Sequence, residues 1–253
     1  MSANIFNDII KPYLLLFFSF FIIGLCSCDE DSALSDLEFD DPSVIKPTVT
    51  ILKEVNGNNI NQEVEVYLYD KNHDQIQLKN GDVYLNGEEM ILKDNWLTDA
   101  KYYSGIEIIK NISYPKNYYF EVEFYNGDNY DISIRTQPNE FTELNVASRY
   151  PKNENILISW NKFDVYYAIS ADITVYYIEN DNVETSSLNI NFPEYSAKNG
   201  SYELSKSYFN FDDSIYKIDI KLSTVAEGLV DQNFMNGAFA KSINSISASV
   251  ELY

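Results

Sequence analysis

"YYFEVEFYNGDNYDISIRT", residues 118–136, decides the fold. Before Asn126-Gly127 the apolar residues Phe120, Val122 and Phe124 alternate with polar ones, and after it Ile132 and Ile134 do the same. A period of two puts each set on one face of a strand. Asn-Gly between two such runs is the strongest short-range hairpin signal, because both residues tolerate the positive φ of a tight turn. The stretch predicts two antiparallel strands with one apolar and one polar face.

The same signature recurs along the chain. "DVYLNGEEMIL" (Asp82–Leu92) reads as a second hairpin around Asn86-Gly87, and "VEVYLYD" (Val64–Asp70) alternates strictly. Further on come "NILISW" (Asn155–Trp160), "ADITVYYI" (Ala171–Ile178), "SLNINF" (Ser187–Phe192), "SYELS" (Ser201–Ser205), "IYKIDIKL" (Ile215–Leu222) and "ISASVELY" (Ile246–Tyr253). No stretch holds a 3.6-residue period between caps. The 21 tyrosines and 15 phenylalanines suit half-buried strand faces. These features predict an all-β chain built of antiparallel, immunoglobulin-like sandwiches rather than βαβ units. The polar stretch "SRYPKNEN" (Ser148–Asn155) divides it into residues 48–147 and 148–253, each about the size of one sandwich. A single larger β domain is the alternative.

In the second block Trp160 ends "LISW", Tyr202 and Leu204 lie in "SYEL", and Tyr216 opens "YKIDIKL". The series resembles the fibronectin type III pattern. That resemblance implies a core tryptophan and a tyrosine-led penultimate strand, with "EGLVDQNFMNGAFAKS" (Glu227–Ser242) as the loop before the last strand. Ser207 stands where the pattern has leucine, leaving Phe209 or Phe211 to fill the place.

The amino-terminal end carries a different message. "LLLFFSFFIIGL" (Leu14–Leu25) has no charge or amide. It is too short for a membrane span of about 20 residues, and its length fits the apolar core of a secretory signal. Behind it stand Cys26 and Cys28, the only cysteines. As a disulfide or metal pair they fall short, since C-x-C lacks the second ligand pair of a zinc site. With Ser27 before Cys28 and Leu25 three before it, the stretch resembles the lipobox of bacterial lipoproteins. The resemblance implies a signal peptide over residues 1–27, cleavage before Cys28 and lipidation of its thiol, which tethers the chain to the outer membrane. From Asp29 to Asp41 follows "DEDSALSDLEFDD", seven carboxylates without a cation, which reads as a solvated tether over residues 28–47. The run is similar to the acidic export signal of Bacteroidota surface lipoproteins, which implies display on the cell surface. A periplasm-facing anchor is the alternative. The whole layout resembles accessory lipoproteins encoded around glycan-uptake and adhesion systems of that phylum.

A formal charge of −21 excludes nucleic acid as a partner and argues against adsorption to anionic lipid. Catalysis finds little support. The single histidine, His73, lies in the polar turn "DKNHDQ", and no G-x-S-x-G motif is present. The adjacent pairs Glu88/Glu89 and Asp212/Asp213 read as solvated charge, since glycosidase acids must face each other across a cleft. We expect no enzyme and no cofactor. Asp70, Asn72 and Asp74 have the 1, 3, 5 spacing of a calcium loop, but Gln75 and Gly81 replace its glycine and bidentate glutamate. The three remain a weak calcium candidate.

Binding is the expected function. "NWLTDAKYYSG" (Asn95–Gly105) sets Trp96, Tyr102 and Tyr103 in a polar, glycine-bounded segment. Exposed, these rings would stack on the faces of a glycan or anchor a protein ligand; the alternative is that they pack between sheets. The rival class is a structural or interaction subunit that docks to an outer-membrane partner by a sheet edge.

Overall fold

A computed structural model of the chain describes residues 40–57, 59–95, 100–110, 117–135, 140–163, 168–209 and 214–253. The hairpin around Asn126-Gly127 is present. Strands β7 (Asn117–Glu123) and β8 (Asn129–Arg135) pair antiparallel, with Tyr119 opposite Ser133. Gly127 supplies the left-handed turn conformation at φ 82. At the Asn86-Gly87 turn both residues have positive φ (53 and 82), which joins β3 (Asp82–Leu85) to β4 (Glu88–Glu89) with a twist that suits the strands.

The remaining strands are β1 (Lys46–Asn56), β2 (Asn59–Tyr69), β5 (Ile91–Asn95), β6 (Ala100–Ser104), β9 (Leu144–Asn145), β10 (Arg149–Tyr150), β11 (Ile156–Trp160), β12 (Ile169–Glu179), β13 (Asn182–Phe192), β14 (Ser201–Leu204), β15 (Ile215–Glu227), β16 (Leu229–Val230) and β17 (Phe239–Leu252). Among the described residues they form three sheets. The largest has nine strands in the order β13-β12-β15-β17-β1-β2-β6-β5, with β10 also pairing β17. A five-stranded sheet runs β16-β8-β7-β3-β4, and a three-stranded one β14-β11-β9. Among the described residues the chain is all-β in character, with short helical turns between strands.

Both smaller sheets cover the same face of the large one. On β1, Val49 and Ile51 enter a core closed by Val83, Leu85, Phe120, Val122, Ile132 and Ile134 of the five-stranded sheet. Val55, at the same parity on the same strand, enters a second core closed by Ile156, Ile158, Trp160 and Leu204 of the three-stranded sheet. Equal parity means the same face of the sheet. Strand β17 repeats the arrangement, with Ala240 in the first core and Ile246, Val250 and Leu252 in the second. Each fully buried Ile, Leu or Phe contributes about 1.5–3 kcal/mol.

Between the cores the inward positions turn polar. Lys53 ion-pairs with Glu140. Asn244 is 3% exposed, and neither side-chain polar atom has a hydrogen-bond partner. The cores do not separate at one point in the sequence, since Val55 belongs to the second and Phe234 and Ala240 to the first, and the hydrogen-bonded sheet runs through both. Its central pairing is the parallel one of β1 with β17, from Thr48 opposite Phe239 to Val55 opposite Ile246.

Trp160 is core, as expected, 3% exposed and stacked on Phe192 at 5.7 Å. Phe192 stacks in turn on Tyr202 at 4.1 Å. Phe209 is buried in the second core, and Phe211 lies outside the described residues. The segment Glu227–Ser242 departs from the expected loop. It forms β16 on the edge of the five-stranded sheet and the start of β17, and it sends Phe234 into the first core beside Tyr130. The reason is apolar burial: Phe234 and Ala240 are both buried in that core.

Candidate functional site

The other face of the nine-stranded sheet, which neither of the other two described sheets covers, carries the side chains that alternate with the core set. On β2, Val64, Val66 and Leu68 point inward, so Glu65, Tyr67 and Tyr69 point out. Pairing of Val66 with Tyr103 on β6 places Tyr102 beside Tyr67 on the open face. The rings of Tyr67 and Tyr102 lie 5.5 Å apart at 28°, and those of Tyr67 and Tyr69 lie 6.3 Å apart at 18°. Three tyrosines therefore form one near-parallel row. Thr48 faces Tyr67 on one side and Phe239 on the other, and Phe239 is 42% exposed. Aromatic residues thus stand on three of four neighbouring strands, β6, β2 and β17, with Thr48 of β1 between them.

The electrostatics of the row follow from partial burial. Burial, the Glu65 charge and the hydrogen bond to that carboxylate push the Tyr67 phenol up to about 12. Burial also raises Tyr69 and Tyr102. All three are neutral at physiological pH and keep their hydroxyl protons for donation. Burial raises the Glu65 carboxyl too, against the Tyr67 bond that lowers it. Lys46 Nζ stands 5.5 Å from the centre of the Tyr69 ring and donates to His73 Nδ1 at 2.8 Å.

At the far end of the same face lies a polar trough of about 350 Å³, lined by Asp172, Thr174, Asp219, Lys221, Ser247 and Ser249 among others. Asp219 accepts from Ser249 Oγ at 2.5 Å, from the Tyr176 hydroxyl at 2.8 Å and from Lys217 Nζ at 3.1 Å. Burial pushes its carboxyl up, but these bonds outweigh it and hold the group below the usual range. Lys221 bridges to Glu54 at 2.9 Å across the sheet.

The predicted binding rings are separated. Tyr103 is 5% exposed and belongs to the first core, where its hydroxyl accepts from the Leu78 N–H at 3.1 Å. Consecutive strand residues point to opposite faces, so Tyr102 and Tyr103 are not part of one surface. Trp96 lies outside the described residues, as do Cys28, the signal segment and Asp212/Asp213. Sequence reasoning missed Tyr67 and Tyr69. Their signal was in "VEVYLYD", where both occupy the non-core parity.

Asp70, Asn72 and Asp74 fold into a turn with a different use for the carboxylate. Asp70 Oδ1 accepts from the backbone N–H groups of Asn72 at 2.8 Å and Asp74 at 2.9 Å, and Asn72 Nδ2 donates to its other oxygen at 3.4 Å. This side chain closes a turn on itself. Among the described residues no three His, Cys, Asp or Glu are grouped to hold a metal ion. Also among them, no helix is long and apolar enough to cross a membrane.

Neither a family model nor a curated protein matches the chain. Among solved structures it is similar to SGBP-B of the mixed-linkage glucan utilization locus of Bacteroides ovatus, in complex with mixed-linkage heptasaccharide. The two are 13% identical over 76% of this chain, with a TM-score of 0.20. The chain spans 43% of that protein's length. A likeness at that TM-score carries no argument about this chain's fold or ligand.

Proposed function

We propose that the chain is a non-catalytic lipoprotein, anchored through Cys28 in the outer membrane and displayed on the cell surface, which binds glycan on the open face of its large sheet. The observation that carries this reading is the Tyr69–Tyr67–Tyr102 row. A sugar has an apolar C–H face and an equatorial belt of hydroxyls. Partly exposed aromatic rings suit the first and the neutral phenols with Glu65 suit the second. The strong negative charge disfavours polyanionic ligands, so uncharged polysaccharide fits best.

The test is affinity gel electrophoresis of the chain in gels containing starch, xylan, galactomannan or mixed-linkage β-glucan. At least one polysaccharide is expected to retard it, and a Tyr67→Ala/Tyr102→Ala variant should bind about tenfold more weakly or worse. Equal retardation of a folded variant removes the tyrosine row as the site.

A second reading is a docking subunit, and β13 favours it. This edge strand of eleven residues keeps a regular register with β12, and no other described strand pairs with it. It carries neither lysine nor proline, the usual guards of an exposed edge. Ser187→Pro in the middle of the strand separates the readings, since it should abolish edge docking and leave glycan retardation unchanged.

A further inference from the structure

The outer face of the five-stranded sheet holds a concave site far from the tyrosine row in its make-up. Leu229 on β16 stands opposite Ser133 on β8, and Ser133 stands opposite Tyr119 on β7. The small serine makes a saddle between two walls, Tyr119 at 57% exposure and Leu229 at 77%. In the adjoining row Asn117 faces Arg135, and Glu227 reaches the same space from the end of β15. Together they enclose about 440 Å³, within the usual range of roughly 300–1,000 Å³ for small-ligand sites.

The walls are fixed in place. The backbone of Tyr119 is held through both its polar groups by Asn86, whose N–H donates to the Tyr119 carbonyl at 2.7 Å and whose Oδ1 accepts from the Tyr119 N–H at 3.0 Å. Asn117 Nδ2 donates to the Tyr119 hydroxyl at 2.9 Å. On the other wall Gly228 brings the chain so close to β8 that a Cβ would sit 2.6 Å from the Ser133 carbonyl oxygen. Leu229 projects from a backbone held by its pairing with β8 and by the bond from the Gly228 N–H to the Ala240 carbonyl at 2.8 Å.

From this geometry we infer that the cleft is a second saccharide site, taking one neutral hexopyranose unit. Tyr119 and Leu229 offer an aromatic and an aliphatic surface to the C–H faces of the ring. Asn117, Arg135 and Glu227 offer an amide, a guanidinium and a carboxylate to its hydroxyls, both donors and acceptors. The opposite charges of Arg135 and Glu227 cancel, which favours a polyol over an acid. The inference takes its ligand class from the glycan reading above, but none of its residues.

Arg135 makes the site directly measurable, because Arg149 is the one other arginine in the chain. The full chain is labelled with phenylglyoxal and each arginine is quantified by mass spectrometry. Labelling is repeated with cello-, xylo-, manno- and malto-oligosaccharides, and with an oligogalacturonate as the acidic control. A neutral oligosaccharide should slow modification of Arg135 several-fold, leave Arg149 unchanged, and lose that protection in Tyr119→Ala. Protection should persist in Tyr67→Ala/Tyr102→Ala. If no neutral oligosaccharide protects Arg135, or if Tyr119→Ala is protected as fully as the parent, the cleft is not a saccharide site. Protection by the galacturonate alone overturns the neutral class. Loss of gel retardation on mutating the tyrosine row, with Arg135 never protected, leaves the open-face reading standing without this one.

Discussion

Tyr102 and Tyr103 are neighbours in the chain and lie on opposite faces of one sheet. Tyr102 rests near-parallel to Tyr67 at 5.5 Å, while Tyr103 accepts a hydrogen bond from the Leu78 N–H inside the core. Their substitutions should therefore separate. Tyr103→Ala opens a cavity and is expected to destabilise by about 3–5 kcal/mol. Tyr103→Phe keeps the ring but strands a buried N–H, for about 1–3 kcal/mol. Tyr102→Ala removes one ring pair, about 0.5–1.5 kcal/mol. Urea unfolding of the three variants checks the order, and equal losses at 102 and 103 would contradict the assignment of faces.

Lys53 and Glu140 meet at the polar seam between the two cores, with side-chain exposures of 13% and 31%. Removing one partner from such a site leaves the other charge poorly solvated. Glu140→Gln should cost about 1–3 kcal/mol, below the range for fully buried pairs because the glutamate is part-exposed. The double variant Lys53→Met/Glu140→Met should recover much of that loss. A double-mutant cycle by denaturant unfolding measures the coupling, and strict additivity would mean that the pair contributes nothing.

The same seam explains what could be read in the sequence and what could not. Both Asn-Gly hairpins were legible, because turn chemistry and alternation are local. Strand β1 was not, because Lys53 occupies an inward position and interrupts the alternation of Val49, Ile51 and Val55. Asn244 does the same in β17, so only "ISASVELY" stood out and the earlier half merged with a supposed loop. The parallel pairing of β1 with β17 joins residues nearly the whole chain apart, and no local pattern encodes it. At the candidate site, Tyr67 and Tyr69 were readable from parity. Tyr102 joins them only through the register of β2 with β6, which the sequence does not state.

Asp219 gives a pH prediction. Its carboxyl lies below the ordinary value of 3.8 in the folded chain, through bonds from Ser249, Lys217 and Tyr176 that outweigh burial. A depressed folded-state pKa stabilises the fold above the unfolded value, and that contribution is lost as pH falls through the folded one. Asp219→Asn should therefore lower the urea midpoint at pH 7, and the difference from the parent should shrink below pH 3.8 as the parent's carboxyl protonates. A deficit that stays constant from neutral to acid pH would show that the asparagine disturbs packing rather than charge.

Anchoring and exposure can be separated on living cells. Proteinase added to intact cells should release the β-sheet body if Cys28 is lipidated and the acidic run after it directs export to the surface. Stable anchoring needs more than one acyl chain, since a single chain gives only marginal attachment. Cys28→Ala removes the acylation site and should shift the chain from the membrane to the soluble fraction. A body that resists proteinase until the outer membrane is breached faces the periplasm instead. In that case the tyrosine row meets only glycans already imported, and the free edge of β13 becomes the more informative surface to block.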